Sequence, residues 1–166
     1  MNNAAINLSR NDILHTDYRD WLETLNVNLT GAFNCSQAAV EQMLEAGRGS
    51  IVNIASVGGL NPFRTRTSYN ASKSGLIGLT QSMALDYAEE GIRVNAVCPG
   101  YVRTELTIPL FERMGEERFN QLVNAHAMRR LGRPEEISSA VLFLLSEEAS
   151  FPGVALPVDG GYLLKG

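Results

Sequence analysis

Tyr69 and Lys73 stand four residues apart in Tyr69-Asn70-Ala71-Ser72-Lys73, with Ser56 thirteen positions upstream. On a helix spanning residues 67–90 the phenol and the ammonium share one face. An ammonium beside a phenol favours phenolate and is expected to draw the Tyr69 pKa down towards neutrality. A phenol tuned in this way is a usable general acid or base. A serine delivered from a neighbouring strand end could hold a carbonyl or alcohol oxygen against it. Together the three residues could move one proton on or off an oxygen while another group moves a hydride.

The elements that must position them follow from pattern. Gly49-Ser50-Ile51-Val52-Asn53-Ile54-Ala55-Ser56 is an apolar, β-branched run before Val57-Gly58-Gly59, and predicts a buried strand over 50–56 that presents Ser56 at its end. Gly91 to Gly100 predicts a second strand over 92–97, stopped by Pro99-Gly100. The helix between them is expected to close at Gly91. Strand, helix, strand of this length is a right-handed crossover with parallel strands. Ligands of such sheets lie beyond the carboxyl ends of the strands, where Ser56 and Pro99-Gly100 fall.

Elsewhere, residues 16–46 read as one helix, capped by Thr16-Asp17 and closed by Gly47, with Asn28 and Gly31 as poor helix formers in its middle. Residues 134–146 read as another, with Pro134 first, Glu135 and Glu136 in the first turn, and an apolar stripe of Ile137, Val141, Leu144 and Leu145. A last strand over 154–158 contains Pro157 and follows Pro152, which places it at a sheet edge. The charged stretch 104–133 has no clear period.

With these residues assembled, the chain resembles the short-chain dehydrogenase/reductase family along nearly its whole length. Asn2-Asn3-Ala4-Ala5 is similar to the family's Asn-Asn-Ala-Gly motif, with Ala5 where glycine is usual. Asn28 in Val27-Asn28-Leu29-Thr30-Gly31 matches its helical asparagine, and Ser56, Tyr69 and Lys73 match its catalytic serine, tyrosine and lysine. Asn95, Pro99, Gly100 and Thr104 match its Asn-x-x-x-Pro-Gly-x-x-x-Thr segment, and residues 158–161 its Val-Asp-Gly-Gly. The resemblance implies the C-terminal part of a Rossmann-like, doubly wound α/β sheet with flanking helices, forming one partial domain over residues 1–166. It also implies NAD(P)-dependent interconversion of a secondary alcohol and a carbonyl, with Tyr69 as general acid/base and Ser56 on the reacting oxygen. Lys73 would bind the nicotinamide ribose, and Asn28 would support a proton relay. Asn3 and Ala4 would face the cofactor, Pro99, Gly100, Val102 and Thr104 would hold its nicotinamide end, and stretch 104–133 would cover the substrate.

No Gly-x-Gly-x-x-Gly or Thr-Gly-x-x-x-Gly-x-Gly occurs in the sequence. The resemblance therefore implies that the family's first strand–helix units, roughly 80–90 residues at ~30 per unit, are absent. With them go the adenosine-binding half and any reading of NAD against NADP. The first strand is then expected to carry a bare edge open to pairing. A rival function follows: a silent short form acting only through oligomer contacts, since the resemblance pairs helices 16–46 and 67–90 across a two-fold axis in a homo-oligomer.

Composition narrows the partners. Net charge is −4 and no Lys/Arg run occurs, which argues against nucleic acid. No apolar stretch approaches the ~18 residues of a membrane span, and Met1-Asn2-Asn3 does not begin a signal peptide. Cys35 and Cys98 are isolated, so a reduced cytoplasmic setting is expected; neither they nor His15 and His126 have metal-ligand spacing.

Overall fold

The computed structural model describes residues 1–105 and 107–165; Leu106, within the expected substrate cover, and Gly166 lie outside them. Three strands, β1 (Gly49–Ile54), β2 (Ile92–Pro99) and β3 (Ala155–Val158), form one parallel sheet in the order β1-β2-β3. Its register pairs Gly49 with Ile92 and Ile54 with Val97, then Ala96 with Ala155 and Pro99 with Val158. β3 lies at one edge, so the two prolines beside and within it remove no ladder bond from a central strand.

Side-chain alternation along the strands divides the core into two faces. On one, Ile51, Ile92, Val94 and Ala96 pack against α2 (Gly31–Ala46) and α3 (Thr67–Tyr87) through Val40, Leu76, Met83 and Ala84. On the other, Val52 and Val97 pack against α6 (Pro134–Leu145) through Val141 and Leu144. Each such side chain, fully buried, stabilises the fold by about 1.5–3 kcal/mol.

The region expected as one helix over 16–46 is α1 (Tyr18–Leu25), a π-helical turn (Asn26–Thr30) and then α2. Asp17 caps it, accepting from Arg19 N, and Gly47 ends it at φ 65°. The π turn falls on the two residues that suit an α-helix least, Asn28 and the adjoining Gly31, and its wider ring is completed by Gly31 N donating to Asn26 O. α3 stops at Tyr87, short of the expected 90, and two turn bonds, Glu90 N to Tyr87 O and Gly91 N to Ala88 O, lead into β2. Gly91 sits at φ +75° with the Gly47 carbonyl where a Cβ would be, so the two helix exits abut at glycines.

Stretch 104–133 contains α4 (Ile108–Arg113) and α5 (Glu116–Asn124). α6 starts as expected, with Pro134 in its first turn and the Glu136 carboxylate accepting from Arg133 N at 2.8 Å. Its far end is held by a residue the sequence did not single out. Arg93, from β2, donates to the carbonyls of Leu144, Leu145, Ser146 and Ala149, so a cation closes the negative end of the helix dipole.

The outer edge of β1 is met by Asn2 alone among the described residues: Asn2 N donates to Val52 O and Ile54 N to Asn2 O, both at 2.9 Å. The expected bare edge is thus bridged at one residue. The Asn2 amide also donates to Asn53 Oδ1 at 2.8 Å and Ser36 Oγ at 3.0 Å, tying the start of the chain to β1 and α2. Among the described residues, no helix is long and apolar enough to cross a membrane, and no three His, Cys, Asp or Glu side chains cluster to hold a metal ion.

Candidate active site

Ser56 lies two residues past the end of β1, in extended backbone, and caps a 3-10 turn over Val57–Gly59. Its Oγ accepts from Gly58 N at 3.0 Å, which fixes the hydroxyl in position. The turn packs directly on α3: a Cβ on Gly59 would lie 2.8 Å from the Lys73 backbone carbonyl, and Ser74 Oγ donates to Gly59 O at 2.9 Å. Glycine at 59 is therefore what allows the serine turn to approach the tyrosine–lysine helix. The loop leading into α3 is held in turn by Asn70, whose amide accepts from Phe63 N and donates to Phe63 O at 2.7 Å.

Tyr69 and Lys73 share the face of α3 that meets the β1 end, and the Lys73 Nζ lies 5.9 Å from the centroid of the Tyr69 ring. The lysine is buried, 2% exposed, and donates to the Ile54 carbonyl at 2.7 Å. Burial lowers its pKa to about 8, opposed by the nearby Cys98 thiol. The phenol behaves contrary to the sequence expectation. Burial raises the Tyr69 pKa above the ordinary tyrosine value, opposed by the hydrogen bond with Ser56 and the positive charge of Arg66. The ammonium is held beneath the ring by the strand carbonyl, and its own charge is weakened by desolvation.

Asn28 is 1% exposed and fully engaged. Its Oδ1 accepts from Ile6 N at 2.7 Å, and its Nδ2 donates to Ile6 O at 2.9 Å and to Ser72 Oγ at 3.0 Å. Ser72 Oγ donates in turn to Tyr69 O at 2.8 Å. The side chain thus clamps the segment after Asn2-Asn3-Ala4 and braces the first turn of α3, without touching the phenol or the ammonium.

A cavity of about 520 Å³ opens between these elements, with Ser56, Tyr69, Gly100 and Val102 on its wall. Of the other residues expected at the cofactor, Asn3 and Ala4 lie exposed beside the wall residue Ala5, and Pro99 ends β2. Thr104 is committed to a local turn, its N donating to Thr107 Oγ1 at 2.8 Å. Leu110 and Phe111, from the stretch expected to cover the substrate, line the cavity. Thr107 also lines the cavity and donates to Val102 O at 2.6 Å. Val-Asp-Gly-Gly forms a turn in which the Asp159 carboxylate accepts from Gly161 N and Leu163 N, both at 2.9 Å.

Sequence reasoning missed Arg10, Arg66 and Tyr101 as wall residues. Arg66 could have been found from its place one helical turn before Tyr69. Arg10 and Tyr101 carry no such signal, since tertiary packing alone brings them to the cavity.

Among the described residues only Ile54 O takes a hydrogen bond from Lys73 Nζ, which leaves two of the three ammonium donors without a protein acceptor.

A family model described as enoyl-(acyl carrier protein) reductase matches residues 1–163. The chain is 41% identical over 165 residues to cyclohexanol dehydrogenase of Acinetobacter sp. (strain SE19), covering 99% of this chain and 63% of that protein. The chain belongs to the short-chain dehydrogenase/reductase family. A second family member, the 3-oxoacyl-[acyl-carrier-protein] reductase FabG of Thermotoga maritima, is 39% identical over 166 residues, 99% of this chain and 65% of that protein. The solved structure of ElxO with NADP bound superposes with a TM-score of 0.91 at 33% identity, over 98% of this chain and 65% of that one. The chain thus spans about two thirds of the length of the short-chain dehydrogenases/reductases it matches, and its sheet and helices are those of their Rossmann-type fold.

Proposed function

We propose that this chain carries the proton-transfer site of an NAD(P)(H)-dependent oxidoreductase that interconverts a secondary alcohol and its carbonyl. One observation carries the reading: the Ser56 and Tyr69 side chains face one cavity, with the Lys73 ammonium buried behind the phenol. The names of the relatives, a cyclohexanol dehydrogenase and a 3-oxoacyl reductase, support the same pair of functional groups.

A bound nicotinamide dinucleotide would supply or accept the hydride. In the reducing direction Tyr69 gives its proton to the substrate oxygen as negative charge develops there, and Ser56 hydrogen-bonds that oxygen. A phenol kept protonated by burial suits this acid role. In the oxidising direction Tyr69 takes the proton back, with Ser56 and Arg66 favouring the phenolate. Lys73 holds the ribose hydroxyls with its two spare donors, and Asn3, Ala4, Pro99, Gly100, Val102 and Thr104 border the ring. Asn28 acts through position: it orders the segment that walls the cavity and supports the return of the proton to Tyr69. Either NAD or NADP suits these residues, because none of them reads the adenosine ribose.

Homo-oligomer formation through the helices of residues 18–46 and 67–87 belongs to the same reading. Exposed Leu22, Phe33 and Leu44 on the first pair and Leu85 on α3 support it.

The test is binding of NAD(H) and NADP(H) to the purified chain by calorimetry, with Lys73→Ala as control. Saturable binding that disappears in Lys73→Ala, with turnover that disappears in Tyr69→Phe, is expected. A folded protein that binds neither dinucleotide would overturn the reading in favour of a silent form acting through its oligomer contacts.

A further inference from the structure

Two cations at the cavity have no part in holding the reacting oxygen. Arg10 and Arg66 both line the cavity that contains Ser56 and Tyr69, and no acidic side chain lines it among the described residues. Neither guanidinium is paired with a carboxylate among the described residues, whose ion pairs are Asp12–His15, Arg130–Glu136 and Arg133–Glu136. Arg66 also donates to the Asn7 amide oxygen, once that amide is turned to satisfy both of its neighbours, a contact that steers the guanidinium without neutralising it. The two charges act on each other: burial first, then the charge of Arg10, reduces the hold of Arg66 on its proton.

Placement gives the pair a direction. Arg66 is the cap residue of α3, three positions before Tyr69, whereas Lys73 lies four positions after it and reaches under the sheet to Ile54. The phenol is therefore flanked by a buried ammonium on one side and the guanidiniums on the other. Leu8, Leu110 and Phe111 supply apolar wall to the same cavity. Arg10 is exposed and Arg66 half-buried, so an entering anion would meet one solvated and one partly desolvated cation. The first turn of α3 has no side-chain cap, so its positive dipole end adds to the same field.

We propose that Arg10 and Arg66 form a subsite for an oxyanion tail of the substrate, a carboxylate or a phosphate monoester, remote from the carbon that reacts at Ser56 and Tyr69. The substrates assigned are hydroxy acids or hydroxyalkyl phosphates and their oxo counterparts. This rests on the alcohol/carbonyl reading of the cavity. Guanidinium forks bind such groups through two parallel charge-assisted hydrogen bonds, which a neutral ester cannot match.

The test is calorimetric binding of 4-oxopentanoate, 5-oxohexanoate and 6-oxoheptanoate, their methyl esters, 5-oxohexyl phosphate and plain hexanoate. The proteins are the unmodified chain, Arg10→Gln, Arg66→Gln and Ser56→Ala, each checked for folding by its thermal transition. At least one oxo acid should bind about tenfold or more tightly than its methyl ester, or 5-oxohexyl phosphate about tenfold or more tightly than methyl 5-oxohexanoate, as one charge-assisted bond would give. Either arginine substitution should remove that preference, and Arg10→Gln should leave ester affinity within about twofold. The better anion of the two identifies its source. Equal binding of acid, phosphate and ester, or a preference that survives both arginine substitutions, overturns the subsite. If acid and ester bind equally and both weaken in Ser56→Ala, the subsite fails while the carbonyl site stands. If hexanoate binds as well as 5-oxohexanoate, with arginine dependence and indifference to Ser56→Ala, the subsite stands and the carbonyl reading fails. Binding of none of the probes by folded protein overturns both.

Discussion

The Lys73 ammonium donates to the Ile54 carbonyl at 2.7 Å, so the last peptide of β1 anchors the lysine beneath the Tyr69 ring. The bond couples sheet to site. It also explains why a buried cation is tolerated at all: the carbonyl dipole recovers part of the solvation lost on burial.

That burial has a consequence for stability. The pKa of Lys73 falls from 10.5 in the unfolded chain to about 8 in the fold. Below pH 8 both states bind the proton and the full desolvation penalty applies. As pH rises from 8 towards 10.5 the unfolded chain holds more protons than the native one, so this group's contribution to stability rises. Cys98, raised from 9.0 to about 11, acts in the opposite sense above pH 9. Lys73→Met should therefore abolish a gain in stability visible between pH 8 and 9, as measured by urea unfolding at each pH. An unchanged pH dependence in Lys73→Met would contradict a depressed lysine.

Activity should depend on pH through the phenol. Because burial raises the Tyr69 pKa, the rate of alcohol oxidation is expected to climb through the alkaline range without a plateau near neutrality. Arg66→Gln removes a charge that favours phenolate and should move that limb to higher pH, while Tyr69→Phe should reduce turnover by 10²-fold or more, roughly the contribution of general acid–base catalysis. Initial rates from pH 6 to 10 check both statements. A limb that moves only in a Lys73 variant, and not in Arg66→Gln, would restore the lysine as the tuning cation.

Asn28→Ala removes the partners of Ile6 N, Ile6 O and Ser72 Oγ together. The loss should be about 1–3 kcal/mol for each group left buried and unsatisfied, and less where water can enter. The denaturation midpoint should fall, and the segment before α1 should become the first site of limited proteolysis. Stability equal to that of the unmodified chain would mean that the clamp contributes nothing.

Arg93→Met keeps the length of the side chain while removing its bonds to the end of α6. Charge-assisted bonds of this kind contribute about 1.5–3 kcal/mol, and the freed carbonyls at the helix end add to the cost. Hydrogen exchange should quicken in the last turn of α6 and in the loop before β3, ahead of the rest of the sheet. Uniform exchange across α3 and α6 would refute a local role.

Much of this protein was legible in order along the chain. The β-branched runs at 50–56 and 92–97, the glycines at their borders and the Tyr69–Lys73 spacing were enough for a parallel crossover with Tyr69 and Lys73 on one helix face near its carboxyl end. Such signals are local: alternation, capping and four-residue spacing act within one element, so the residues alone specify them. The tertiary structure decided what depends on distance between elements. It showed that Lys73 donates to Ile54, that Asn28 engages Ile6 and Ser72, that Arg93 closes a helix from another element, and that Arg10 and Arg66 line one cavity. Burial and charge proximity set those outcomes, and both arise only once β1, α3 and the start of the chain are packed together.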